Sequence, residues 1–199
     1  MFVTFEGVDG SGKSTQAGLL AERLAAEGRD VVATREPGGT ELGERVRDLL
    51  LGGGEVAAWA EAALFAAARA QLVAEVIRPA LDRGAVVVCD RYLDSSLAYQ
   101  GIARGLGLER VLELNLTVVE GLLPDRTFLL LLEPAAAAAR MDGSPDRIER
   151  AGEAFVGRVD AGYRELAARF PERIVPLDGR LPEQELADRV AGELGALLP

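Results

Sequence analysis

The segment Gly7-Val8-Asp9-Gly10-Ser11-Gly12-Lys13-Ser14-Thr15 constrains the fold of this chain more than any other stretch. It has the pattern G-x-x-x-x-G-K-[ST], with an alternating apolar run over residues 2–6 before it and a helical pattern over 14–27 after it. Glycines let a backbone wind until successive N–H groups face one centre, and the helix N-terminus adds the positive end of its dipole. The expectation is a strand–loop–helix unit whose loop cradles the phosphates of a nucleotide. Lys13 should reach the β- and γ-phosphates, and the Ser14 hydroxyl should hold Mg²⁺. Of the 22 basic residues Lys13 is the only lysine, and it stands where the pattern needs an ammonium.

The rest of the chain continues the alternation. Strands are expected over residues 2–6, 30–34, 85–89, 127–132 and 173–177, and helices over 14–27, 41–51, 56–83, 108–122, 150–170 and 182–198. Gly28 and Gly84 stand where helices should stop, and Pro79 should bend the last turn of the long helix. Apolar strands separated by helices imply an α/β fold with a parallel sheet covered on both faces. With 199 residues and no linker, one domain spanning residues 1–199 is expected. Ligands of such sheets bind beyond the carboxyl ends of the strands, so the chemistry should follow each strand.

Composition removes several classes. Histidine is absent and Cys89 is the single cysteine, which excludes a Ser-His-Asp triad, a Cys-His pair, a disulfide framework and a multi-cysteine metal site. The net charge of −10 argues against broad nucleic-acid or membrane-surface binding, so an anionic ligand must meet a local arginine cluster. The start lacks a signal-type lead and no apolar window approaches a bilayer span, so a soluble cytoplasmic protein is expected.

Arginines stand at two further strand ends. Thr34-Arg35-Glu36-Pro37-Gly38-Gly39-Thr40 follows the second strand, and Asp90-Arg91-Tyr92, then Tyr99-Gln100-Gly101, follow the third. A guanidinium fork matches phosphate oxygens in pairs, so Arg35 and Arg91 beside a phosphate loop suggest a second anion site. Asp90 closes an apolar run, as a Mg²⁺-associated carboxylate does. A guanine reader of the Asn-Lys-x-Asp type is excluded by the lysine count. A small-molecule kinase fits a second anion site best. A deoxynucleoside kinase with Glu6 as base, and a nucleotide-binding regulator without catalysis, stay open on these residues alone.

Taken together, these segments resemble thymidylate kinases. The resemblance is carried by Phe5 to Thr15, Thr34 to Thr40, Leu64-Phe65-Ala66-Ala67-Ala68-Arg69, Asp90-Arg91-Tyr92 with Ser95, Ser96 and Tyr99-Gln100-Gly101, and Asp146-Arg147-Ile148-Glu149. It implies a three-layer P-loop kinase fold with a five-stranded parallel sheet, helices on both faces and a mobile lid at about residues 140–150. It implies transfer of the ATP γ-phosphoryl group to dTMP with Mg²⁺, by a homodimer. Another deoxynucleotide kinase remains the nearest alternative. By position, Phe65 is similar to the residue that stacks on thymine and Arg69 to the one that bonds its O4. Arg35 and Arg91 match the acceptor-phosphate ligands, Ser96 with Gln100 the neighbours of the thymine ring nitrogen, and Tyr99 the residue beneath the deoxyribose. Asp9 matches the carboxylate at the acceptor sugar or metal shell, and Pro37 a residue after a cis peptide. One branch of the family carries an arginine inside the P-loop; Gly10 stands there, which points to the branch whose lid supplies the arginines. Arg147 is then expected at the transition state, and Arg140 nearer the adenine or phosphates.

Overall fold

The computed structural model describes residues 1–141 and 146–195. Five parallel strands, β1 (Phe2–Glu6), β2 (Val31–Arg35), β3 (Val86–Asp90), β4 (Arg126–Leu131) and β5 (Ile174–Asp178), form one sheet in the order β2-β3-β1-β4-β5. The strand order reverses at β1, whose neighbours β3 and β4 both come later in the chain, and this opens a crevice at the carboxyl ends of β1 and β3.

Side-chain alternation splits the core in two. Val3, Phe5, Val88, Phe128 and Leu130 point to one face, where α1 (Lys13–Ala26) and α9 (Glu183–Gly195) cover them through Leu20, Leu24, Leu186 and Val190. Phe2, Val87, Cys89 and Leu129 point to the other. That face is covered by α3 (Ala58–Leu72), α6 (Leu108–Val118), α8 (Glu153–Arg169) and the segment after β3. The amphipathic α2 (Glu41–Leu51), capped by the Thr40 side chain accepting from the Gly43 N–H, packs Val46 and Leu50 on Ala68 of α3.

The expected elements are all present, with boundaries moved for local reasons. The helix expected over 56–83 runs as α3, a π-helical stretch Val73–Ile77 and α4 (Arg78–Asp82). Pro79 lacks an N–H and its ring crowds the carbonyl four residues back, which the widened turn before it accommodates. α8 begins three residues later than expected, after Gly152 at φ 88. α6 stops at Val118, before Glu120 and Gly121, which adopt positive φ. The end of the helix expected over 182–198 lies outside the described residues beyond 195.

Three short elements were not expected: α5 (Leu93–Ser96) with a π-helical continuation Leu97–Ala103, α7 (Pro134–Ala138), and a 3-10 turn Glu149–Ala151. Of the expected lid, residues 142–145 lie outside the described part.

Candidate active site

The P-loop leaves β1 at Glu6 and enters α1 at Lys13, with Gly7, Gly10 and Gly12 at positive φ. Gly12 is the left-handed N-cap of α1, and no side chain caps that terminus. The first N–H groups of α1 are thus left to a ligand rather than to a serine or aspartate hydroxyl or carboxylate. At Gly10 the loop passes so close to α7 and the residues after it that a Cβ would overlap the Ala137 carbonyl oxygen and crowd Met141. No arginine fits at that position.

The loop floors a cleft lined by Gly10, Ser11, Gly12, Lys13, Ser14 and Thr15 on one side. Arg140, Gly179, Leu181 and Leu186 line the other, with the Arg140 guanidinium donating to the Gly179 carbonyl at 3.1 Å. Gln16 and Glu183 complete the wall, joined by a 2.9 Å hydrogen bond from the Gln16 amide to the Glu183 carbonyl. Gly7 and Val8 lie behind the lining, at the turn from β1. Ser14 Oγ donates to Asp90 Oδ2 at 2.5 Å, while Asp90 Oδ1 is buried without a hydrogen-bond partner. A hydroxyl beside a carboxylate with a free buried oxygen suits Mg²⁺, a hard cation that takes one or two protein oxygens and completes its shell from phosphates and water.

A second cavity lies on the other side of Asp9. Asp9 joins the two: its Oδ1 accepts from Lys13 Nζ at 2.9 Å and from Arg91 Nη2 at 2.5 Å. Burial alone would push this carboxyl up, but the Arg91 and Lys13 charges outweigh it and hold it well below the usual carboxylate range. Lys13 is pulled the other way, down from its ordinary value, by burial and by Arg91, against the pull of Asp9 and Asp90.

Arg91 is set with unusual care. It has a φ of 71, a left-handed conformation that costs a non-glycine residue of order 1 kcal/mol or more. Its Nη1 donates to Ser95 Oγ at 3.0 Å and Tyr163 Oη at 3.1 Å, and its guanidinium lies 5.4 Å from the Tyr99 ring centroid. Behind it stands Glu6, fully buried, with Oε2 accepting from Ser95 Oγ at 2.6 Å and Tyr163 Oη at 2.8 Å. Glu6 Oε1 accepts from the Tyr92 and Ser95 backbone N–H groups. Burial, reinforced by Asp94, pushes the Glu6 carboxyl up to about 7.

The structure brings Pro37, Phe65, Arg91, Ser96, Tyr99 and Gln100 together on the wall of this second cavity. The Glu36–Pro37 bond is cis. Two other residues stand elsewhere. Arg35 is half exposed and pairs with Glu44 at 3.0 Å rather than lining the cavity. Arg69 is buried behind the wall, its guanidinium taken up by Glu36, Ser96 Oγ, Asn115 Oδ1 and the Tyr92 carbonyl. Arg147 is bound beside the second cavity, donating through Nε to the Leu50 carbonyl at 2.7 Å and through Nη2 to Glu61 at 2.6 Å. Its neighbours Asp146 and Ile148 line the cavity.

Sequence reasoning missed Glu36, Arg47 and Ser95 as lining residues, along with the supporting hydroxyl of Tyr163. Arg47, which donates to the Pro37 carbonyl at 3.0 Å, sits in the charged face of α2, where nothing in the pattern separates it from Arg45, an exposed partner of Glu41. Ser95 was already among the residues carrying the resemblance, yet its hydroxyl role required the fold to bring Glu6 beneath it.

Comparison with known proteins identifies the family. A family model described as Thymidylate kinase matches residues 5–190. A thymidylate kinase from Exiguobacterium sp. is 49% identical over 194 residues, covering 96% of this chain and 92% of the relative. One from Deinococcus radiodurans is 49% identical over 189 residues, covering 94% and 92%. Among solved structures, the crystal structure of thymidylate kinase from Ehrlichia chaffeensis superposes with a TM-score of 0.76 at 36% identity, covering 89% of this chain and 91% of that one.

Proposed function

Because the chain belongs to the thymidylate kinase family, we propose that the two cavities meeting at Asp9 hold the two substrates of one transfer, ATP over the P-loop and dTMP beyond it. The reaction is the ATP-dependent phosphorylation of dTMP to dTDP with Mg²⁺, a step of dTTP biosynthesis. The single observation that carries the site assignment is the shared oxygen: Lys13 from the donor side and Arg91 from the acceptor side both end on Asp9 Oδ1.

The lack of histidine is no obstacle to this chemistry. A phosphate monoester has a second pKa near ~6, so the acceptor is already mostly dianionic at neutral pH and needs no general base. The difficulty is bringing two polyanions into line. Lys13 and the first amides of α1 hold the donor end, and Arg91 holds the acceptor phosphate with its fork fixed by Ser95, Tyr163 and Asp9. Ser14 and Asp90 would hold Mg²⁺, which when bound neutralises charge on the β- and γ-oxygens. Phe65 offers a face for the base, Ser96 and Gln100 polar groups for its edge, and Tyr99 a ring near the sugar. Pro37 closes that wall, with Arg69 bracing Ser96 from behind and Arg35 held in reserve on Glu44. Arg140 serves the nucleotide cleft. Arg147, tied to α2 and α3, keeps the C-terminal arm of the lid over the acceptor.

The same reading makes residues 1–199 one working domain, cytoplasmic and homodimeric. α3 and its continuation expose Ala60, Ala63, Ala67 and Ala74, a row of small side chains at helical spacing that supports close packing against a second copy. Among the described residues no helix is long and apolar enough to cross a membrane. Sedimentation equilibrium should give the mass of two chains, and an Ala67→Glu variant that stays dimeric would move the interface elsewhere.

The function is tested by mixing protein, ATP and Mg²⁺ with dTMP, dUMP, dCMP, dGMP or AMP. ADP should appear with dTMP first, with dUMP trailing by about 10–200-fold because one methyl separates them. ADP release that ignores the acceptor would remove the assignment of the second cavity.

A further inference from the structure

Glu61, on α3, is almost wholly buried, yet four donors converge on it. Its Oε1 accepts from Gln100 Nε2 at 2.9 Å and Arg104 Nε at 3.3 Å, and its Oε2 from Arg147 Nη2 at 2.6 Å and Arg104 Nη2 at 3.2 Å. Burial opposes its charge, but the hydrogen bonds from Gln100 and Arg147, with Arg104, outweigh that and hold the carboxyl below its ordinary value. Glu61 is an anion at neutral pH.

An ionised carboxylate only accepts hydrogen bonds, whereas a carboxamide has one donor end and one acceptor end. Facing Glu61, the Gln100 amide must therefore turn its NH₂ inward. Gln100 also lines the acceptor cavity, so the end left for a ligand is the carbonyl oxygen, an acceptor. Thymine and cytosine differ in what their N3 offers such a group: thymine carries an N–H, cytosine a bare nitrogen with a lone pair.

We propose that Glu61 is a positioning residue for base recognition, fixing the Gln100 amide so that the cavity presents an acceptor to the pyrimidine edge and selects a base with N3–H. Because Arg147 ends on the same carboxylate, the lid arm and the base-facing amide share one anchor. The inference rests on reading that cavity as the dTMP site.

The test is kcat/KM for dTMP and for dCMP, measured side by side. In Glu61→Gln the partner amide can donate as well as accept, which frees Gln100 to flip. The dTMP/dCMP ratio should fall by about 10–100-fold, with KM for dTMP rising more than kcat falls. A merely structural role would lower both acceptors together and leave the ratio intact, and that result overturns the proposal. Gln100→Ala removes the oriented group while leaving Glu61 its two arginines. Its ratio should fall likewise, and an unchanged ratio there overturns the proposal even if Glu61→Gln does not fold. A wild-type protein that uses dCMP as well as dTMP would instead remove the reading of the cavity itself.

Discussion

Lys13 shows how much one side chain can carry when its surroundings are arranged for it. It is the only lysine of the chain, almost fully buried, and it ends on Asp9 where the two cavities meet. Lys13→Ala should lower kcat by about 10²–10³-fold or more, as loss of an electrostatic donor at a transferring group does. Because Asp9 keeps Arg91, the fold should survive. A thermal melt would show this: Tm without ligands close to wild type, the rise with dTMP retained, and the rise with an ATP analogue largely lost. Near-normal turnover would contradict the P-loop assignment. Its placement at the cleft was legible in the sequence because it depends on a local pattern. Phe65, Ser96, Tyr99 and Gln100 were legible only through the resemblance, since their neighbours in space come from separate elements. Arg35 and Arg69 mark the limit. Each is an arginine next to the right segment, but whether a guanidinium faces a ligand or a carboxylate depends on Glu44 and Glu36, and spacing does not reveal those pairings.

The elements converge at the carboxyl edge of β1 and β3, where carboxylates crowd. Glu6, Asp90 and Asp94 end or follow these strands, and Glu6 is fully buried among hydroxyls and N–H groups. Its carboxyl lies near 4.5 ordinarily and is pushed up to about 7 in the fold. Below pH 4.5 it is protonated folded or unfolded and contributes no pH dependence. Between 4.5 and about 7 the folded state holds the extra proton, so stability falls as pH rises, by about 3 kcal/mol in all. Above 7 the loss is complete. Urea unfolding of wild type and Glu6→Gln across pH 4.5–7.5 should show that decline in wild type and a smaller one in the variant; parallel curves would deny Glu6 the raised pKa. A second element contact is equally specific. Gly10→Ala adds a Cβ that collides with the Ala137 carbonyl of α7 at a positive φ, so about 1–3 kcal/mol of stability should be lost, together with nucleotide affinity. Unchanged melting and ATP-analogue binding would mean that α7 yields freely. The strands and long helices were legible because burial writes a period into them. The helical segment after β3 was not. It starts at Tyr92 without a side-chain cap, and the groups that fix Ser95, Glu6 and Tyr163, come from separate elements.

At the scale of the whole molecule, an acidic chain with a net charge of −10 must receive two polyanions. It does so by pairing most arginines with carboxylates nearby and concentrating cationic groups where the cavities meet. Arg23, Arg45, Arg83, Arg164, Arg180 and Arg189 are tied to surface carboxylates, and such exposed pairs contribute little to stability. Arg147 is different because its pair with Glu61 is buried and spans the lid, α2 and α3. Its removal leaves Glu61 two partners, Arg104 and Gln100, so the base-facing amide keeps its orientation and the dTMP/dCMP ratio should stay within about 3-fold of wild type. What is lost is the fastening of the lid arm whose Asp146 and Ile148 wall the acceptor cavity. On the proposed reading, water then reaches the transferring group more often. Arg147→Ala should therefore lower kcat by about 10-fold or more, raise KM for dTMP less than that, and increase ADP formed without dTDP relative to ADP formed with it. Counting both products in one assay decides the matter. If KM alone changes and every ADP is still matched by a dTDP, the arm does not exclude water, and Arg147 serves only to shape the acceptor cavity.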